Sequence, residues 1–488
     1  MNCFRFRKTF CARWISISLL TVCALLLVSS TVFAQKRTQI LHNPTSGDAV
    51  PKLLLLRIVR AEDERRWDDD LRSLFRARNA NVRSRAALAA GRIGNDAAIP
   101  DLVELLRHDD ETDVRAMAAF AIGEIESPLG ADALFATLKE MREAILRARA
   151  VEALGKIAAA LPKEQEARSK ELGSAILEVL NFEARRRSAP DRFTILLGLT
   201  AALRAKPANA GPVIAEFLTY SDPRIRADAA NALARLQLKD GNEQLRKLLT
   251  SDLDPIVRAN AARALGAVED KASFDQLLDR AVKDTDSRVR VSAIRSLGAL
   301  KDRRAGKPLI DYGNNMLNEK PSSLNETLEL AMSIGRIFQG IPDIEAYGWL
   351  DDARARAGRV APEVEIALVR LSPGNYLLPE AQGVSPQRRA QEAILTNWRA
   401  ASSLAQALGE IAALPDAQKD TRVILEAEEV LRAMLDYRNS GLHINTLVAV
   451  HSEYAIPDVL RAYAAFKPKE SFKRVGCDHP RHGCRVIG

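Results

Sequence analysis

Aromatic residues make up only 5% of the 488-residue sequence, too few to build the stacking platforms on which proteins hold single-stranded nucleic acid. An excess of one charge is nearly missing as well. The formal net charge is +8, and four of the positive residues (Arg5, Arg7, Lys8 and Arg13) fall in the first 34 positions with no acid among them. Removing those four from +8 leaves +4 for residues 35–488, where both signs are interspersed. No basic block remains to meet a phosphate backbone, so nucleic acid is not expected as a partner. Cysteine is scarce: Cys3, Cys11 and Cys23 precede residue 35, and Cys477 and Cys484 are the other two of five. A disulfide framework is therefore not expected, and packing must hold the core. There is no Gly-rich phosphate loop, nucleophile elbow or His-Glu-x-x-His. The paired acids Asp68-Asp69-Asp70 and Asp109-Asp110 fall at helix ends or turns, where capping and solvation account for them. No catalytic residue and no cofactor is expected.

The one long apolar run, Ile15–Val28, follows the basic segment and ends in small residues at Val32-Phe33-Ala34. That layout reads as a secretory signal peptide over 1–34 with Ala34 before the cut, and predicts a protein exported to the periplasm or secreted. A linker over 35–50 follows, and Pro51–Phe75, with Glu62, Asp63 and Trp67, reads as capping helices within 51–78.

From there the chain repeats. The motif Val-Arg-x-x-Ala-Ala recurs with its apolar anchor at Val82, Val114, Leu146, Phe193, Ile225, Val257 and Val289. Each step is 32 except the 47 between Leu146 and Phe193, which implies a 15-residue insertion near 161–189. A fixed period of this size means stacked small units rather than one globule. Apolar and small residues at the first, fifth, sixth and tenth places of the motif have helical spacing. The tenth place is Gly91, Gly123, Gly155, Gly266 and Gly298 in five copies. Glycine inside a helix costs about 0.5–1 kcal/mol, so its register implies close approach of a neighbouring helix. Three residues before the anchor stand Asn79, Glu111, Glu143, Asp222, Asp254 and Asp286, with Pro223 and Pro255 after two of them; these mark helix starts. Partner helices lie upstream, as in Ile99–Leu106 and Glu243–Leu249.

The residue after the anchor is Arg83, Arg115, Arg147, Arg226, Arg258 or Arg290, with Thr194 as the exception. An arginine in the first turn opposes the helix dipole, so it needs a partner. Asp113, Asp222, Asp254 and Asp286 are the candidates, in the same unit or the next. The run Asp254-Pro255-Ile256-Val257-Arg258-Ala259-Asn260-Ala261-Ala262 resembles the second helix of HEAT repeats. The resemblance covers Asn79 to Leu300. It implies an all-α fold, an α-solenoid of HEAT-type helical hairpins, with the turn aspartate and this arginine forming a ladder between units. The array is expected over 79–312. Leu328–Gly335, Val364–Leu368 and Ala400–Gly409 look like diverged second helices in 313–466, interrupted by the Pro/Gly-rich loop Leu371–Arg388.

The tail 467–488 is expected to be disordered. It holds Cys477, His479, His482 and Cys484, for which a small-loop disulfide or an unstructured tail is the main reading and a zinc site the alternative. The wet side of the second helices carries Arg85, Arg92, Glu124, Arg149, Glu152, Lys156, Asp228, Asn231, Arg235, Asn260, Arg263 and Arg295. In a solenoid these line the concave face, and a protein or peptide is the expected partner. The function expected is therefore an exported, non-enzymatic scaffold. Two alternatives stand beside it. One is the substrate-holding arm of a peptidyl-prolyl isomerase whose cyclophilin-type domain is missing from this chain. The other is a bilin lyase-like protein, since similar short units occur in phycobilisome lyases.

Overall fold

The computed structural model describes residues 49–140, 143–186, 189–318, 323–341, 343–357 and 361–371. The expected leader, most of the linker, the segment from 372 on and the cluster at Cys477–Cys484 lie outside the described residues. All regular structure among the described residues is helical, and two compact units divide at Ile125/Glu126.

The first unit opens with α1 (Lys52–Asp63), which buries Ile58 and Ala61, and a short α2 (Asp69–Ser73) capped by Asp68. The rings of Trp67 and Phe75 pack 5.3 Å apart beside them. Then come α3 (Ala80–Ile93), α4 (Ile99–His108) and α5 (Thr112–Ile125). Here α3 lies on α5 and α4 on α5, a hairpin docked onto the helix before it.

The second unit continues the alternation. Its helices are α6 (Ala131–Glu140), α7 (Ala144–Ala160), α8 (Glu166–Arg185), α9 (Arg192–Ala205), α10 (Ala210–Glu216), α11 (Pro223–Leu236), α12 (Asn242–Ser251), α13 (Pro255–Ala267), α14 (Phe274–Lys283), α15 (Ser287–Leu300), α16 (Gly306–Asn318), α17 (Leu324–Ile337), α18 (Ile344–Ala357) and α19 (Pro362–Leu371). The odd-numbered helices are the second helices of the hairpins, and each from α7 to α19 lies against the next. Helix–turn–helix units therefore stack side by side, and they continue through Leu371. The insertion lengthens a first helix: α8 runs 20 residues, where α12 and α14 run 10.

Local chemistry explains the helix starts. Side chains of Asn79, Asp191, Asp222, Asp254 and Asp286 accept first-turn amide hydrogens, and Pro223 and Pro255 open α11 and α13. Glu143 gives α7 no side-chain cap; glutamate is one methylene too long for that geometry. The anchors Val82, Val114, Ile225, Val257 and Val289 are buried, each worth about 1.5–3 kcal/mol of transfer from water. The two flanking the insertion differ: Leu146 is half-buried and Phe193 exposed. In the first turn of α9 Thr194 and Ile195 are buried instead.

The glycine register has the reason its spacing implies. A Cβ on Gly91 would come 2.8 Å from the Cα of Ala121, on Gly155 2.6 Å from that of Ala201, on Gly266 2.8 Å from that of Ser296, and on Gly298 2.9 Å from that of Ser333. Gly335 repeats the arrangement against Ala367 at 2.6 Å. Second helices touch backbone to backbone at these points, and only hydrogen fits between them.

Candidate functional site

The motif arginines reach carboxylates that the sequence reading did not name. Arg226 donates from Nε and Nη2 to Asp252 at 2.7 and 2.9 Å, and from Nη1 to the carbonyls of Tyr220 and Ser221. Arg258 repeats this with Asp284 at 2.9 Å on both nitrogens and with the carbonyls of Asp252 and Leu253. Arg83 does the same with Asp109 at 2.7 and 2.8 Å. Arg290 binds Glu326 at 2.6 and 2.9 Å and the carbonyls of Asp284 and Thr285. The bidentate geometry and the carbonyl bonds offset the unfavourable place of a cation in a first turn.

Each of Asp252 and Asp284 thus works in two directions. Its carboxylate binds the arginine of the preceding hairpin, its backbone carbonyl binds the arginine of its own, and its side chain also accepts the amide two residues on. A continuous rail runs Arg226, Asp252, Arg258, Asp284, Arg290, Glu326. Asp222, Asp254 and Asp286 stand outside it because their carboxylates are turned onto the first amides of α11, α13 and α15. Asp222 also accepts from Arg192 at 2.5 Å and Asp286 from Arg288 at 2.7 Å. Asp113 is an exposed first-turn residue of α5, and Arg115 donates to Thr112 at 3.0 Å. Arg147 pairs with Glu183 at 2.9 Å, with 3% and 0% of the two side chains exposed.

The missed acids carry a signal. In the 32-residue units the acceptor stands 26 positions after its arginine (Asp109, Asp252, Asp284), and where the next unit is longer it is a glutamate 36 positions on (Glu183, Glu326).

Burial pushes the Asp284 carboxyl up, but the Arg258 guanidinium and the Asp286 amide outweigh it, and the net shift is down. Asp109 follows the same pattern with Arg83 and the Glu111 amide. The bond from Arg288 is the largest influence on Asp286, lowering it to about 2. Burial first, then its bond to Glu326, pushes the Tyr312 hydroxyl up to about 12. Carboxylates depressed in the folded state contribute stability that is complete above their unfolded value near 4 and is lost as pH falls through the folded value. Thermal melts are therefore expected to be flat from pH 7 to about 5 and to fall steeply between about pH 4 and 2. The Asp284→Asn variant starts lower and falls less, and a melting temperature constant down to pH 2.5 contradicts the rail's role.

The side chains expected to face a partner are mostly engaged within the chain. Arg85 binds Glu62 of α1 at 2.7 and 2.6 Å, and Arg92 reaches the same carboxylate at 3.4 Å. In α7, Glu152 sits between Arg149 at 2.8 Å and Lys156 at 2.9 Å; Lys156 is buried and Arg149 lies over the Phe193 ring at 5.2 Å. Asn260 donates to the Ala227 carbonyl across to α11, and Arg295 pairs with Glu329 of α17. Asp228 accepts from Arg224 at 2.9 Å. Glu124 is exposed near the end of α5. Exposed or half-exposed on adjacent helices remain Asn231 and Arg235 of α11 and Arg263 of α13, the last bonded to Asn260 at 3.2 Å. Among the described residues no helix is long and apolar enough to cross a membrane, and no group of three or more His, Cys, Asp or Glu side chains is placed to hold a metal ion.

A sequence profile for HEAT repeats matches residues 68–160 and 242–316. No curated protein matches the sequence significantly. Among solved structures, yeast importin-beta (Kap95p) is similar over 91% of this chain and 66% of its own, at 13% identity and a TM-score of 0.57. That likeness is one of fold. The Escherichia coli protein YibA matches over 59% of this chain and 97% of its own, at 20% identity and a TM-score of 0.44. The CpcE–CpcF complex of phycocyanin lyase from Nostoc sp. PCC7120 matches over 64% and 98%, at 16% identity and a TM-score of 0.31.

Proposed function

Since this chain carries HEAT repeats, we propose that it is an exported, non-enzymatic scaffold that holds a protein or peptide along the face of its second helices. The observation behind this reading is the unbroken succession of second helices α7, α9, α11, α13, α15, α17 and α19, each lying against the next of the series. Stacked helices of this kind offer an extended surface rather than a pocket for chemistry. The contact region is narrower than the twelve positions named from sequence. It centres on Asn231, Arg235 and Arg263, since Arg85, Arg149, Glu152 and Lys156 are occupied by ion pairs inside the chain. Export rests on the basic, apolar and small-residue layout of residues 1–34.

One experiment tests both parts. The full chain is expressed in cells with a photo-crosslinking residue at Asn231 or Arg263, and in parallel at Lys247 on the exposed side of the first helix α12. The expected result is a discrete adduct from the first two positions and none from Lys247, on a protein whose intact mass begins at Gln35. Equal labelling from all three positions removes the second-helix face, and an unprocessed mass in the cytosolic fraction removes export.

A further inference from the structure

The insertion shapes a cavity beside the start of α9. The end of α8 lies over the starts of α7 and α9, and between them is a cavity of about 410 Å³ lined by Ala144, Arg147, Phe182, Arg186, Pro190 and Asp191. We propose that this cavity binds a peptide carboxylate carried beside an apolar or aromatic group.

The volume falls at the lower end of the roughly 300–1,000 Å³ typical of ligand sites. It suits the end of a chain, or one side chain with its neighbours. One wall is apolar: Ala144, Pro190 and the Phe182 ring, which is left 42% exposed. The guanidinium of Arg147 lies 5.3 Å and that of Arg186 5.5 Å from the centroid of that ring, so two cations flank an exposed aromatic surface. The local acids are already engaged. Glu183 faces Arg147 at 2.9 Å and accepts the Asp191 amide at 2.8 Å, and Asp191 caps the Thr194 amide at 2.7 Å. Arg186 has its nearest carboxylate at 3.6 Å, beyond hydrogen-bond reach, with its side chain 39% exposed. A partly desolvated guanidinium next to an apolar wall is matched by a carboxylate, which it can bind with two parallel bonds.

The site sits at helix ends rather than along the second-helix face, so it stands whether or not that face holds a partner. Two sources supply this chemistry, the last residue of a peptide or an internal acidic side chain. Three peptides carrying an uncharged BODIPY dye on the N-terminus separate them: Gly-Ser-Gly-Leu-Phe as the free acid, the same peptide as its amide, and Gly-Ser-Phe-Glu-Gly as its amide. Anisotropy titrations with the full chain should show saturable binding of the first, the third or both, weakening with salt, and none of the neutral amide. Binding of the first alone assigns a C-terminus, of the third alone an acidic side chain. Arg186→Gln and Phe182→Ser, with circular dichroism unchanged, should each weaken binding at least about tenfold, equivalent to 1.4 kcal/mol. The proposal is overturned by no binding of either acidic peptide, by equal binding of the neutral amide, or by an unchanged affinity in the Arg186→Gln protein.

Discussion

Glu183→Ala is expected to cost about 3–5 kcal/mol of stability, because it removes the carboxylate that faces the buried Arg147 guanidinium at 2.9 Å. The same change removes the acceptor of the Asp191 amide at the start of α9. Arg147→Met should be less damaging, since the buried Glu183 carboxylate keeps the Asp191 amide at 2.8 Å and the Arg186 guanidinium at 3.6 Å. The double replacement Arg147→Met, Glu183→Leu should recover most of the loss, because two apolar side chains of similar volume need no desolvation of charge. Urea unfolding of these proteins together with the single Glu183→Leu variant closes the double-mutant cycle. A loss below about 1 kcal/mol in Glu183→Ala means that water reaches the pair and the burial argument fails.

Gly155→Ala carries the second large effect, and its sign is the informative part. On an isolated helix the change would stabilise by about 1 kcal/mol. Here the new methyl carbon would lie 2.6 Å from both the Cα and the Cβ of Ala201, so α7 and α9 must separate. Overpacking of this kind costs about 1–3 kcal/mol, a fall of several degrees in melting temperature. Adding Ala201→Gly should restore little, because the Cα remains where it was. Full rescue by that second change would show that side-chain crowding alone, and not backbone contact, sets the spacing.

The glycine register was legible because it follows the 32-residue period, and Gly91, Gly155, Gly266 and Gly298 all meet a neighbouring backbone. The arginines were legible for the same reason. Their partners were not, because helix-start aspartates such as Asp254 sit nearer in sequence and look equally suitable. The Asp254 carboxylate is taken up by the Ile256 amide of its own helix start, and only the fold brings Asp252 and Asp284 across to the arginines. The surface face was the least legible part. Hydropathy marks Lys156 and Glu152 as wet, whereas their opposite charges four residues apart let Lys156 bury and Glu152 half-bury. The cavity at Phe182 depends on where a 20-residue helix ends, which periodicity does not reveal.

The aspartate that grips two arginines at once bears on how such a chain can grow. A segment copied whole brings its own cation and, 26 positions later, its own anion, so a new copy arrives with one open hand on each side and joins its neighbours without further change. A copy of altered length breaks that grip unless it also acquires an acid at the new distance, as the glutamates 36 positions beyond Arg147 and Arg290 do. Enlargement by tandem duplication is therefore easy in steps of one period, while any other step demands a compensating substitution.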